Sequence, residues 1–96
     1  MNFFTYILKC SDGSYYTGTT DDVEARVFEH NQGKYPRAYT KTRRPVELVF
    51  SYRFPKLSAA KEFERQIKGW RRAKKEALIR GDWDALPQLS KRYRNF

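Results

Sequence analysis

"FFTYILKCSDGSYYTGT", residues 3–19, decides the fold. Residues 3–10 are aromatic and β-branched, as a strand requires. Ser11-Asp12-Gly13 is then a hairpin signal, and residues 14–19 form the returning strand. Register settles which side chains share a face. A two-residue Asp12-Gly13 turn pairs Cys10 with Tyr15 and puts Tyr6 and Tyr16 on opposite faces. A three-residue loop, with Gly13 left-handed in a bulge, pairs Leu8 with Tyr16 and gathers Tyr6, Leu8 and Tyr16 on one face. The second register is preferred here. It leaves Tyr15 as a packing residue on the opposite face and Cys10 as a small buried hydrophobe.

Downstream of the hairpin, the period changes to that of a helix. Asp21 and Glu24 form an expected capping box, Val23 and Val27 lie on one face, and Gly33 is the natural stop. At about 100° per residue, Arg26 and His30 fall roughly 20–60° from Val23, on the edge of the buried stripe. Residues 33–45 form a basic loop carrying Lys34, Arg37, Lys41, Arg43 and Arg44, with Tyr35 and Tyr39 interleaved and no acid between Glu29 and Glu47. Residues 46–54 alternate. Val46, Leu48, Phe50, Tyr52 and Phe54 are expected to face inward, and Glu47, Ser51 and Arg53 outward. Ser58 is the expected cap of a second helix with Ala60, Phe63, Ile67 and Trp70 at helical spacing; Gly69 ends it or bends it into 72–80.

The order strand, strand, helix, strand, helix, helix predicts an α/β (α+β) domain with a three-stranded, mainly antiparallel sheet flanked by helices. Residues 1–80 read as that domain and 81–96 as a C-terminal tail packed through Trp83, with 92–96 loosely held.

At 96 residues the chain builds one small core. Its formal charge of +9 arises from 20 Lys and Arg against 11 Asp and Glu, which points to a polyanionic partner, nucleic acid or anionic membrane. No helix sets a clean basic face against a large apolar one, which disfavours a membrane-surface role. No apolar run approaches the roughly 18–20 residues of a membrane span, and residues 1–10 lack the layout of a signal peptide. The expectation is a cytoplasmic, soluble, basic domain. Cys10 is the single cysteine and His30 the single histidine, which argues against an internal disulfide or a structural zinc site.

The element order and the residues on it resemble the GIY-YIG nuclease family, specifically its small single-domain members, over residues 3–79. Phe4-Thr5-Tyr6 occupies the "GIY" place, reduced to its tyrosine, and Tyr16-Thr17-Gly18 the "YIG" place. Arg26 sits where the family has its helix arginine, and Glu29-His30-Asn31 with Gly33 is typical of the small members. Residues 42–49 match the lead into their third strand, and Glu64-Arg65-Gln66-Ile67-Lys68 matches the segment that carries the metal-binding glutamate. The asparagine that some larger members place after that helix has only Asn95 as a counterpart, to which no role is assigned.

The resemblance implies endonucleolytic hydrolysis of phosphodiesters in DNA with one divalent metal, Mg2+ or alternatively Mn2+. Tyr6, Tyr16, Arg26, His30 and Glu64 would be catalytic, with Glu64 holding the metal. These residue types suit the chemistry. A planar guanidinium engages two phosphoryl oxygens at once, and a single carboxylate is enough for a magnesium ion that keeps most of its waters. A tyrosine with a pKa near 10 needs neighbouring cations (Arg26, Lys9 or the metal) to act as a base. Tyr16 is the first choice for that base, with Tyr6 a supporting partner or alternative, and His30 orients a tyrosine hydroxyl or contacts phosphate.

Lys34, Arg37, Tyr39, Lys41, Arg43, Arg44, Lys68 and Arg71 are the expected nucleic-acid contacts. Cations would track phosphates and tyrosines would stack on unpaired bases, with weak sequence preference. Single-stranded or branched DNA is the expected substrate, RNA is also compatible, and a protein partner for targeting fits so small a chain. Repair, recombination, uptake and defence are all compatible pathways. Each residue also has a plain structural reading. Tyr6 and Tyr16 suit a sheet interior, Arg26 is spaced to pair with Asp22, and Glu64 with Lys68. The competing function is accordingly a non-catalytic nucleic-acid-binding module that keeps the fold.

Overall fold

The structure, a computed structural model, describes residues 1–82, so the expectations for Trp83, for Asn95 and for residues 92–96 lie outside the described residues. The hairpin is β1 (Phe3–Lys9) and β2 (Tyr15–Thr20), followed by α1 (Val23–Asn31), a short 3-10 turn (Tyr39–Thr42), β3 (Glu47–Phe54), α2 (Leu57–Lys68) and α3 (Arg72–Ile79). The sheet is antiparallel throughout in the order β2-β1-β3. This is the expected α+β arrangement. None of the described helices is long and apolar enough to cross a membrane.

As the central strand, β1 is covered on both faces, and Thr5, Tyr6, Ile7 and Leu8 are all buried. Its side chains alternate between two cores. Tyr6 and Leu8 pack with Cys10, Val46, Tyr16 and Val27, on the side of α1. Ile7 packs with Ile67, Leu78, Phe63 and Trp70, on the side of α2 and α3. The sheet is thus the middle of three layers.

The hairpin adopts the register with Leu8 opposite Tyr16 and Tyr6 opposite Gly18. Gly13 takes φ 86°, the left-handed conformation glycine reaches without a Cβ penalty. The Asp12 carboxylate accepts from the Ser14 amide at 3.0 Å and the Ser14 hydroxyl at 2.6 Å, closing the loop. At Gly18 the need is space. A Cβ there would lie 2.5 Å from the Tyr6 hydroxyl oxygen and 2.7 Å from the ring carbon that carries it. The last residue of Tyr-Thr-Gly is the floor under the Tyr6 phenol.

Three local expectations are corrected. The cap of α1 is Asp22, whose carboxylate accepts from the Ala25 amide at 3.1 Å, and not the Asp21–Glu24 box. The Thr20 hydroxyl accepts from the Asp22 amide at 3.1 Å and donates to the Asp22 carbonyl at 3.3 Å, which fixes Asp22 rather than Asp21 at the turn. Helix α2 starts at Leu57 after an extended Lys56 that makes no side-chain cap, so Ser58 is already inside it. Tertiary contact sets that end instead: the Thr5 hydroxyl donates to the Ala60 carbonyl at 2.7 Å.

The alternation expected along 46–54 also breaks. Ile7 faces Phe50 and Leu8 faces Leu48, so Val49 is the extra residue of a bulge. The bulge moves Phe50 to the α2 face while Val46 stays with Tyr6 and Leu8. Leu48 and Tyr52, expected inside, are 40% and 51% exposed on this edge strand.

The fit at Gly18 can be tested by calorimetry. Gly18→Ala is expected to cost about 1–3 kcal/mol by overpacking, a fall in Tm of at least several degrees for a domain of this size. Gly13→Ala meets no atom within 4 Å and strains only the backbone, so its loss should be the smaller. Equal Tm losses would show that Tyr6 does not depend on that floor.

Candidate active site

Between the sheet and α1, a buried polar cluster forms around the lone histidine. His30 is 3% exposed, and burying an imidazole demands partners at both ring nitrogens. It has them. Nε2 lies 3.4 Å from the Tyr6 hydroxyl and Nδ1 lies 2.6 Å from the Thr40 hydroxyl. The ring meets Tyr16 edge-on at 5.2 Å between centres and Tyr35 at 5.1 Å. Asn31, the next residue, clamps the end of α1 to the chain entering β3. Its amide donates to the Val46 carbonyl at 3.1 Å and accepts from the Val46 amide at 2.7 Å.

One turn earlier on α1, Arg26 is half-buried beside the same phenol. Burial works against its charge, but the facing Tyr6, Tyr35 and Glu29 outweigh that and hold its pKa above the ordinary value. Its guanidinium carbon is 5.7 Å from the Tyr35 ring centre, and its ion pair is with Glu29 at 3.5 Å. The Asp22 carboxylate, the partner that spacing suggested, is committed to the helix cap. Glu29 also takes the Tyr35 hydroxyl and the Lys34 ammonium, and these hydrogen bonds keep its carboxyl below the usual range.

These neighbours give the two buried groups opposite shifts. Burial, then the electrostatic influence of the neighbouring Tyr16, push the Tyr6 phenol well above the ordinary tyrosine value, although Arg26 pulls the other way. Tyr6 therefore keeps its proton at neutral pH. Burial and then the Arg26 charge lower the His30 pKa, so the imidazole is neutral there.

Glu64 stands in the other layer. It projects from α2, accepts from the Thr19 hydroxyl at 2.5 Å and pairs with Lys68 at 2.7 Å. Burial opposes its ionised form, yet the Lys68 and Thr19 hydrogen bonds prevail and hold the carboxyl below its usual range. Its charge is also felt at the Tyr6 hydroxyl, as the smallest of the influences there. Because β2 is an edge strand, a group on the α2 side can act on the other face past Thr19, the neighbour of Gly18. An ionised carboxylate of 18% side-chain exposure fits a hard, hydrated divalent cation, which needs one or two such oxygens. Among the described residues no three His, Cys, Asp or Glu side chains converge as an all-protein cage requires.

The basic loop folds back over the cluster. The Tyr39 ring stacks on Tyr16 at 6.4 Å and 18°, the Arg43 guanidinium carbon sits 3.8 Å from the Tyr39 ring centre, and Tyr39 remains 43% exposed. Arg43 is tied to the hairpin by an ion pair with Asp12 at 3.0 Å and by its carbonyl, which accepts from the Ser11 amide at 2.9 Å. Arg44 donates to the Asn31 carbonyl at 3.1 Å, and Lys41 to the Gly33 carbonyl at 3.5 Å. Both line a cleft of about 480 Å³ with Asn31, Thr42 and Pro45. Lys34 pairs with Glu29 at 3.1 Å, and Arg37 is exposed. Lys68 and Arg71, the latter at the N-terminus of α3, belong to the opposite layer.

The structure brings Tyr6, Tyr16, Arg26 and His30 together, whereas Glu64 lies in the other layer, bonded to Thr19 of β2. Sequence reasoning missed Thr40, Tyr35, Glu29 and Thr19. Thr19 was findable, since β-alternation from Tyr15 puts it on the helix face; Thr40 and Tyr35 lie in a loop whose path has no period to read.

Residues 2–77 match the GIY-YIG catalytic domain. The chain is 49% identical over 77 residues to a UPF0213 protein of Syntrophus aciditrophicus, covering 80% of this chain and 88% of that one. It is 51% identical over 77 residues to a UPF0213 protein of Staphylococcus aureus, covering 80% and 93%. The solution NMR structure of a UPF0213 protein from Bacillus halodurans aligns with TM-score 0.53 at 44% identity, covering 82% of this chain and 83% of that one. A solution NMR structure of a protein from E. faecalis aligns with TM-score 0.58 at 32% identity, covering 84% and 85%. With the domain match spanning residues 2–77 and relatives about half identical over 80% of this chain, the chain belongs to the GIY-YIG catalytic-domain family of nucleases.

Proposed function

We propose that this chain is a divalent-metal-dependent endonuclease that hydrolyses phosphodiester bonds in DNA with low sequence specificity. The meeting of Tyr6, Tyr16, Arg26 and His30 on one face of the sheet, with the Glu64 charge felt at the same phenol, carries the reading. Attack by water builds negative charge on the phosphoryl oxygens, so the group most needed is a fixed cation with parallel donors. Arg26 takes that role, held by Glu29 and Tyr35 on one side and Tyr6 on the other.

Tyr16 is the proposed proton acceptor, its ring positioned by His30 and Tyr39. Tyr6, whose buried phenol keeps its proton, supports the site by hydrogen bonding. Glu64 holds Mg2+, with Mn2+ as a substitute. The ion, when bound, supplies charge neutralisation at the phosphate and the leaving oxygen. Lys34, Arg37, Lys41, Arg43, Arg44, Lys68 and Arg71 track phosphates and Tyr39 stacks on an unpaired base, which favours single-stranded or branched DNA. Residues 1–80 are the proposed nuclease unit, working in the cytoplasm.

One observation favours the second reading, a binding module without turnover. The Lys68 ammonium already lies 2.7 Å from Glu64 Oε2, and Thr19 occupies Oε1, so both oxygens of the proposed metal-holding carboxylate have protein partners.

A cleavage assay on labelled single-stranded, duplex and flapped DNA, with Mg2+, with Mn2+ and with EDTA, separates the two. Glu64→Ala is expected to abolish cleavage and retain binding, and Arg26→Ala to lower the rate about 10²–10³-fold. Binding without cleavage under every condition would establish the module. The electrostatic surface has its own test in affinity against salt. Neutralising about four to six phosphates gives a log–log slope near −3 to −5, and Arg37→Ala should reduce it by about one. A salt-independent affinity would contradict the assignment of the loop.

A further inference from the structure

We infer that Thr40 is a positioning residue: its hydroxyl accepts from His30 Nδ1–H, which fixes the His30 tautomer and commits the Tyr6 proton to Nε2. The inference deepens the nuclease reading and rests on it for its catalytic consequence, though not for the hydrogen-bond chain itself.

The argument starts from what each group can donate. A guanidinium has five N–H donors and no acceptor. Arg26 lies beside the Tyr6 hydroxyl and, having only donors, offers the phenol hydrogen no acceptor. The ring nitrogen available to it is His30 Nε2, at 3.4 Å. A neutral imidazole carries one N–H, and if Nε2 accepts then Nδ1 donates. Nδ1 lies 2.6 Å from Thr40 Oγ1, the shortest hydrogen bond His30 makes. The chain therefore runs from the Tyr6 hydrogen to Nε2 and from Nδ1–H to Thr40, with Arg26 beside the phenol.

Burial makes the chain consequential. Thr40 is 1% exposed, Tyr6 1% and His30 3%, so no bulk water substitutes for a lost partner. The other polar groups around the ring are Tyr16, Tyr35, Arg26 and Glu29, and the first two present ring faces or edges to it. Among the described residues, Thr40 alone meets Nδ1. It reaches that point because the 3-10 turn (Tyr39–Thr42) exposes Tyr39 and sends Thr40 inward. Removing its hydroxyl leaves Nδ1–H buried without an acceptor. The ring can then shift to the Nε2–H tautomer, which turns Tyr6 from donor to acceptor at that nitrogen and leaves the phenol hydrogen without its partner.

His30 is the only histidine in the chain, so an untagged, 15N-labelled sample of all 96 residues gives one imidazole signature. Long-range ring 1H–15N spectra at pH 7.5 should show a protonated Nδ1 and an unprotonated Nε2. Thr40→Ser keeps the oxygen and should keep both the tautomer and the cleavage rate. Thr40→Val should lose that tautomer and cut turnover about 10–100-fold, the usual effect of removing an outer partner of a working histidine, while DNA affinity stays unchanged.

An Nε2–H or averaged tautomer in the unmodified chain overturns the inference without any variant, even if Thr40→Val fails to fold. So does a Thr40→Val protein with an unaltered ring spectrum. If the unmodified chain cleaves nothing yet shows the Nδ1–H form, the nuclease reading falls and the hydrogen-bond chain stands.

Discussion

Tyr6 sits in the middle of the central strand with 1% exposure, and the burial of its polar tip is the constraint from which the rest of the site follows. A phenol there needs room for the ring and partners for the hydroxyl. Gly18 on β2 gives the room. The partners must come from above the sheet, and α1 delivers both His30 and Arg26 because residues four apart lie on one face of a helix. Burying His30 in turn requires something at its second nitrogen, which draws Thr40 down from the basic loop. That descent places Tyr39 over Tyr16 and Arg43 over Tyr39. One buried hydroxyl thus organises a strand, a helix and a loop that are distant in sequence.

Much of this was legible in the sequence wherever a period or a turn signal existed. The bulged register followed from Ser11-Asp12-Gly13, and with it the shared face of Tyr6, Leu8 and Tyr16. Helical spacing gave the buried side of α2 through Ala60 and Ile67. Reading failed where tertiary contact overrode a local signal. Alternation along 46–54 was real in the letters, but the bulge at Val49 turned Phe50 to the other core. Asp21 is as good a cap as Asp22 by residue type, and only the Thr20 hydroxyl decides between them. For the candidate site, the sequence placed Tyr6, Tyr16, Arg26, His30 and Glu64 in family order, and the structure gathers the first four on one face. Their supports, Thr40 and Tyr35, lie in a loop, where sequence spacing does not fix spatial neighbours.

The division of labour between layers bears on mechanism. Arg26, the two tyrosines and the histidine stand on the α1 side, whereas Glu64 belongs to α2 behind the sheet. In the proposed enzyme the edge strand would allow the two to cooperate, since among the described residues no strand pairs beyond β2. Thr19 ties Glu64 to that strand beside Gly18, so the carboxylate and the floor under Tyr6 are held by adjacent residues. In the proposed enzyme Arg26 would hold the phosphoryl oxygens and Glu64 would hold the ion, which would supply charge neutralisation. Lys68 is the counter-charge to Glu64 in the free protein and would serve as a phosphate contact when nucleic acid binds.

The charge of +9 overstates the cations free to meet a polyanion. Lys34 answers Glu29, Arg43 answers Asp12, and Arg44 and Lys41 reach carbonyls at the end of α1, where positive charge is stabilising in its own right. These groups are half structural, and that is an advantage for binding. A cation already fixed by a carbonyl or a carboxylate loses less side-chain entropy when it meets a phosphate than a free lysine does. Arg43 shows the point: Asp12 on one side and the Tyr39 carbonyl on the other hold its guanidinium flat against an exposed tyrosine. The outer face of that stack is set beside the proposed catalytic cluster before any nucleic acid arrives. In the proposed nuclease, preorganisation of this kind would favour a substrate whose bases are already unpaired, because a duplex would first have to be opened to use it.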